Sequence, residues 1–179
     1  MGCETMKIMV ISDIHGGLEY LEEAIECYRF EKADKLVILG DFLSYYGTEE
    51  DQKVCDLLNS MASEIVAVEG NCDRGSEGVF EFETPVLENM YVNGVLVTMS
   101  HGHLYSAMSL PSNCGEVFLQ GHSHVPMLEK RKDVIVGNPG SISRPRGVDL
   151  RCYLLIDEEN TICLKTLNGK VVKSLKIGE

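Results

Sequence analysis

An α/β architecture of two packed, mixed β-sheets with helices outside is predicted by three observations. Five short apolar runs rich in β-branched residues each lead directly into a polar motif, and two helix-periodic segments separate the first three of these runs. The second half of the chain changes character, carrying a two-residue hairpin signal and further turns between short alternating segments.

The runs lie at residues 7–12, 35–39, 64–68, 95–99 and 117–119. Between the first two, Leu18, Leu21, Ile25 and Tyr28 recur at helical spacing, with Glu19, Glu22, Glu23 and Glu26 on the other faces. Val54, Leu57, Leu58 and Met61 repeat the pattern before the third run, so the first half reads β-α-β-α-β. Later, Val92-Asn93-Gly94-Val95 is a hairpin signature, because Asn-Gly accepts the positive φ angles of a tight primed turn. Turns at 157–160 and at Asn168-Gly169 separate further short strands, and this half reads as mainly antiparallel. With 179 residues and neither repeats nor a linker, residues 1–179 are expected to form a single domain.

Charge narrows the function. Sixteen basic against 28 acidic residues give a net charge of −12, which repels nucleic-acid backbone and anionic lipid, so neither nucleic acid nor membrane is expected as a partner. The seven cysteines are odd in number, scattered and never in Cys-x-x-Cys spacing, which argues against a disulfide framework or a zinc knuckle and for a reducing, cytoplasmic setting. No apolar stretch has the length of a membrane span.

All five histidines fall in short motifs that follow an apolar run, and Asp13, Asp41 and Asn71 stand in equivalent places. The motifs are Ser12-Asp13-Ile14-His15-Gly16, Gly40-Asp41, Gly70-Asn71-Cys72-Asp73, His101-Gly102-His103 and Gly121-His122-Ser123-His124. Alone, each has an ordinary reading as a polar turn or an exposed loop histidine. Together they are a distributed oxygen-and-nitrogen donor set, the composition of a two-metal hydrolytic site.

In that order, with Gly137-Asn138-Pro139-Gly140-Ser141 following, the motifs resemble the calcineurin-like metallophosphoesterase superfamily, and within it the small YfcE-type phosphodiesterases of bacteria and archaea. The resemblance implies a four-layer α/β/β/α sandwich, the metallophosphoesterase fold. It also implies hydrolysis of a small phosphoester by a hydroxide bridging two divalent metal ions. By the same resemblance Asp41 bridges the metals, Asp13, His15 and His124 complete one shell, and Asn71, His101 and His122 complete the other. An imidazole and carboxylate donor set suits manganese first, with iron, zinc, nickel or magnesium as alternatives. A phosphodiesterase is the leading expectation; a phosphomonoesterase or nucleotidase would use the same site, and a metal-binding scaffold like the small retromer subunit is the non-enzyme alternative. A homodimer is compatible with the sequence.

One position departs from the wider superfamily, where many members carry histidine after the Asn of the third motif; here it is Cys72. Cys72 is either a structural thiol or a catalytic group, and His103, which has no assigned metal, is either a proton donor or a hydrogen-bonded loop residue. Asp73 is expected to orient the neighbouring loop or a ligand imidazole. Arg144 and Arg146, after the Gly140-Ser141 turn, either contact a substrate phosphate or belong to a solvated loop.

Overall fold

The computed structural model describes residues 5–44, 47–75 and 78–179. Its first half is the expected alternation of strand and helix: β1 (Ile8–Ile11), α1 (Leu18–Glu31), β2 (Lys35–Ile38), α2 (Glu49–Asn59) and β3 (Ile65–Ala67). The three strands pair in parallel, as strands joined by crossover helices do. Lys32 ends α1 in the left-handed conformation. Thr48 begins α2 with a capping box, its hydroxyl accepting from the Asp51 N–H while the Asp51 carboxylate accepts from the Thr48 N–H.

The second half supplies β4 (Leu87–Val92), β5 (Val95–Ser100), β6 (Val117–Leu119), β7 (Met127–Arg131), β8 (Val134–Asn138), β9 (Cys152–Ile156), β10 (Thr161–Thr166) and β11 (Val171–Lys176). β4 and β5 form the predicted hairpin, with Asn93 and Gly94 at φ 50° and 85°. The last three strands do not join the second sheet. They extend the first one, giving the order β11-β10-β9-β1-β2-β3, with β9 antiparallel to β1.

The second sheet has the order β4-β5-β6-β8-β7. Although its hairpins are antiparallel, β6 pairs in parallel with both β5 and β8, so the strands that carry the histidine motifs depart from the antiparallel reading. The stretch between β5 and β6 makes that parallel crossover without a helix, and helical periodicity was therefore absent from the sequence there.

Two apolar clusters result from period-2 alternation. Ile8, Val10, Val37 and Leu39 face Val97, Met99, Val117, Leu119 and Ile135 between the sheets, while Met9, Ile11, Leu36 and Ile38 face Leu21, Ile25, Val54 and Leu58 of the helices. The fold is thus an α/β sandwich of two mixed sheets. Both helices cover the outer face of the six-stranded sheet. No helix among the described residues is long and apolar enough to cross a membrane.

Candidate metal centre

Parallel strands with a common direction deliver their C-terminal ends to one edge, and here both sheets deliver them to the same place. Asp13 and His15 follow β1, Asp41 follows β2, and Asn71 follows β3; His101 follows β5, and His122 and His124 follow β6. The convergence is close enough to need glycine. A Cβ on Gly121 would run into Ser12 Oγ and the Asp13 carboxylate, and one on Gly70 would run into Asp41.

Backbone conformation at this edge is unusual. Asp13, His15, Asp41, His122 and His124 all have positive φ, between 45° and 67°. Left-handed backbone is strained for most side chains but is least disfavoured for Asn, Asp and His, so the turn that ends each strand and the donor it carries are met by one residue type. Such strain persists where surrounding contacts over-determine it, and it clusters at functional sites.

Asp41 sits between two groups of donors. Its Oδ2 lies 3.3 Å from His101 Nε2 and 3.7 Å from His15 Nε2, and its Oδ1 accepts the Cys72 N–H at 2.8 Å. On one side, Asp13 Oδ1 lies 3.3 Å from His124 Nε2 and 3.8 Å from His15 Nε2. On the other, Asn71 Oδ1 lies 3.2 Å from His101 Nε2. Donor atoms of Asp13, His15 and His124, and separately of Asp13, Asp41 and His101, lie within 4.8 Å of one another. The thiol of Cys72 makes a third such group with His15 and Asp41.

Those atoms fit a cation better than they fit one another. His124 Nδ1 donates to the Arg144 carbonyl at 2.8 Å and His101 Nδ1 to the Leu39 carbonyl at 2.6 Å, so each neutral ring turns the lone pair of Nε2 into the cleft. His15 Nε2 and His124 Nε2 then face each other at 3.1 Å, and Asp13 Oδ1 is buried without a conventional hydrogen bond. Lone pairs crowding a buried carboxylate are the signature of a positive charge to be shared.

Titration follows the same logic. Burial opposes ionisation of Asp41, but the His101 ring and the Cys72 N–H hold its carboxyl well below the usual range. His101 is pushed up despite burial, because Asp41 and Asp13 favour its charged form, and His124 is pushed up chiefly by its bond to Asp13. His15, His103 and His122 are lowered, in each case mainly by burial.

Two predicted residues stand further out. The His122 ring is exposed at the rim, against His101 at a centroid distance of 5.1 Å, while its N–H donates to Asp13 Oδ2 at 3.0 Å. His103 packs beside His101 at 5.4 Å and lies outside the cleft lining. The cleft itself, of about 190 Å³, is lined by His15, Asp41, Asn71, Cys72, His122, His124, Arg144 and Arg146.

Asp73 orients the neighbouring loops as the sequence suggests, whereas Asn138, Ser12 and Ser141 take supporting roles that the sequence reading did not assign. Asp73 accepts from the N–H groups of Asp41, Phe42 and Gly70 at 2.7–2.8 Å, clamping the β2 and β3 loops together, and burial pushes its carboxyl up to about 6. Asn138 carries more than a turn: its amide donates to the Gly121 carbonyl at 2.8 Å and to Ser123 Oγ at 3.0 Å, bracing the segment that bears both late histidines. Ser12 Oγ donates to Asp13 Oδ2 at 2.7 Å, and Ser141 Oγ to the Asp13 carbonyl at 2.7 Å.

The described donor geometry can be placed among known proteins. Residues 6–161 match the family model of the calcineurin-like phosphoesterase superfamily domain. The chain belongs to that superfamily. Phosphodiesterase YfcE of Escherichia coli strain K12 is 34% identical over 164 residues, covering 86% of this chain and 89% of the relative. An archaeal phosphodiesterase of Methanocaldococcus jannaschii is 28% identical over 145 residues, 75% of this chain and 83% of its own. A solved structure of the E. coli YfcE phosphoesterase superposes with a TM-score of 0.88 at 30% identity, covering 97% of this chain and all of that one. Vacuolar protein sorting 29 from Cryptosporidium parvum shares the fold, with a TM-score of 0.68 at 14% identity over 96% of this chain and 98% of that one. This phosphoesterase is accordingly a phosphoric ester hydrolase of a family that works with divalent metal ions.

Proposed function

We propose that this phosphoesterase is a cytoplasmic phosphodiesterase that hydrolyses small phosphodiesters at a dinuclear metal centre. One observation carries the reading: Asp41 lies between two groups of inward-facing donors contributed by both sheets. Asp13, His15 and His124 would hold one cation, Asn71, His101 and His122 the other, and Asp41 both. When bound, the cations supply a hydroxide nucleophile at neutral pH and neutralise charge on the phosphoryl oxygens. Manganese is the first choice, because Asp13, Asp41 and Asn71 offer hard oxygen donors alongside neutral imidazoles.

The chain's own part is to keep that arrangement ready. Backbone carbonyls at Leu39 and Arg144 fix two imidazole tautomers, Asp73 fixes the position of Asp41, and Asn138 fixes the His122-Ser123-His124 segment. The named function of the YfcE relative supports the diester preference over a monoester one. Chelator-treated protein should lose hydrolysis of bis(4-nitrophenyl) phosphate and regain it with Mn²⁺, and Asp41→Asn should lower the restored rate by about 10²-fold or more. Full activity in metal-free protein, or a wild-type rate in the variant, would remove the dinuclear mechanism.

A further inference from the structure

The segment after β8 returns the chain to the cleft and is tied to it by its main chain. Ser141 Oγ accepts from the Arg144 N–H at 2.8 Å while donating to the Asp13 carbonyl, and the Arg146 N–H donates to the His124 carbonyl at 3.0 Å. With the Arg144 carbonyl receiving His124 Nδ1, the backbone of both arginines is registered to Asp13 and His124. Both residues line the cleft and are exposed.

Neither guanidinium has a carboxylate within ion-pair distance among the described residues, although Arg131 pairs with Glu129 and Arg151 with Asp149. In a chain with 28 acidic residues, two arginines at one opening with no ion pair among the described residues are a local departure from the prevailing sign.

Charge balance says what they are for, given the two-cation reading on which this inference rests. Two carboxylates, a hydroxide and one diester monoanion would already match the four positive charges of two divalent cations held there. The scissile group therefore leaves the arginines over, and two guanidiniums at one cleft can complement a dianion through forked, charge-assisted hydrogen bonds. We infer that Arg144 and Arg146 bind a second phosphate group of the substrate, carried beside the scissile one, so that the preferred substrates are small phosphodiesters bearing an additional phosphomonoester.

The test compares two substrates on the manganese-loaded protein: the 4-nitrophenyl ester of thymidine 5′-phosphate and the same ester with a 3′-phosphate. The 3′-phosphorylated ester should have a kcat/KM about tenfold higher, expressed mainly in KM, because charge-assisted bonds at an exposed mouth act on binding. In Arg144→Gln/Arg146→Gln that ratio should fall close to one. Calorimetry with thymidine 3′,5′-bisphosphate against thymidine 5′-phosphate should show the same preference and the same collapse. A ratio near one in the parent, or one unchanged in the double variant, overturns the inference. If neither ester is cleaved, the phosphodiesterase reading fails, and the calorimetric ratio still decides the role of the arginines.

Discussion

Cys72 stands where many members of the superfamily carry histidine, and its surroundings are those of a cleft residue. Its N–H donates to Asp41 Oδ1, and its thiol lies within reach of His15 and Asp41. Without a strong acid there, rates should fall steeply as the leaving group's pKa rises, so aryl esters should far outpace alkyl ones. Cys72→Ser should keep aryl-ester turnover within a few-fold, whereas Cys72→His should favour alkyl esters, since proton donation is typically worth roughly 10²–10⁴-fold. A leaving-group series on the three proteins at matched metal content checks this, and a flat series in the parent would assign the proton to Cys72 or His103. Asn138 gives a second residue-scale expectation. Truncation in Asn138→Ala leaves the Gly121 carbonyl and Ser123 Oγ short of a donor, and metal affinity measured by titration should fall by about 10–100-fold while the circular dichroism spectrum is kept. The ligand candidates could be picked out because all five histidines of the chain fall in motifs that follow apolar runs, although each motif alone reads as a turn. Asn138 could not be, because a side chain that braces a carbonyl looks in sequence like any turn residue.

Elements show where local signals suffice. The period-3.6 pattern of Leu21, Ile25 and Tyr28 and the Asn93-Gly94 turn are decided by neighbours along the chain, so α1 and the β4–β5 hairpin were readable. The pairing of β6 with β5 and β8 is decided by contacts across the fold, and short apolar strands do not encode whether a partner runs parallel. The same holds for the attachment of β9–β11 to β1, which helix α1 helps to fix. Glu31, at the end of α1, accepts from Tyr153 Oη on β9 at 2.6 Å and pairs with Lys165 on β10. Burial works against its charge, but Lys165 and Tyr153 together hold its carboxyl below the ordinary value. A depressed folded-state pKa stabilises above the unfolded-state pKa, and that contribution is lost as pH falls through the folded one. Glu31→Gln should therefore destabilise by roughly 1–3 kcal/mol at neutral pH in urea melts, with the gap to the parent closing on acidification below the ordinary glutamate range. A gap that stays constant with pH would detach Glu31 from its charged partner.

For the molecule as a whole, the candidate donors come from both sheets, which also meet through apolar packing and through the hydrogen bonds of Asn93 to Met6 and Asp157. A ligand that binds only the folded state stabilises it by mass action, by about 2.7 kcal/mol at a concentration 100 times its dissociation constant. Mn²⁺ should thus raise the Tm of the chelated protein by several degrees, and Asp41→Asn should lose most of that rise; an equal rise in both would place the stabilising ions elsewhere. The acidic surface gives a further expectation, that duplex DNA at physiological salt shows no appreciable binding in a fluorescence-anisotropy titration. Micromolar affinity with a steep salt slope would reverse that reading. The first and last proposed donors, Asp13 and His124, are 111 positions apart in the chain. At about 5–20 residues per second, synthesis separates their emergence by roughly 6–20 seconds, and β8 must still follow before Asn138 braces the later pair. Until then Asp13 and His15 lack the imidazole that completes their group with His124. On the two-cation proposal, the ion held by Asp13, His15 and His124 should therefore be acquired only after most of the chain has been made.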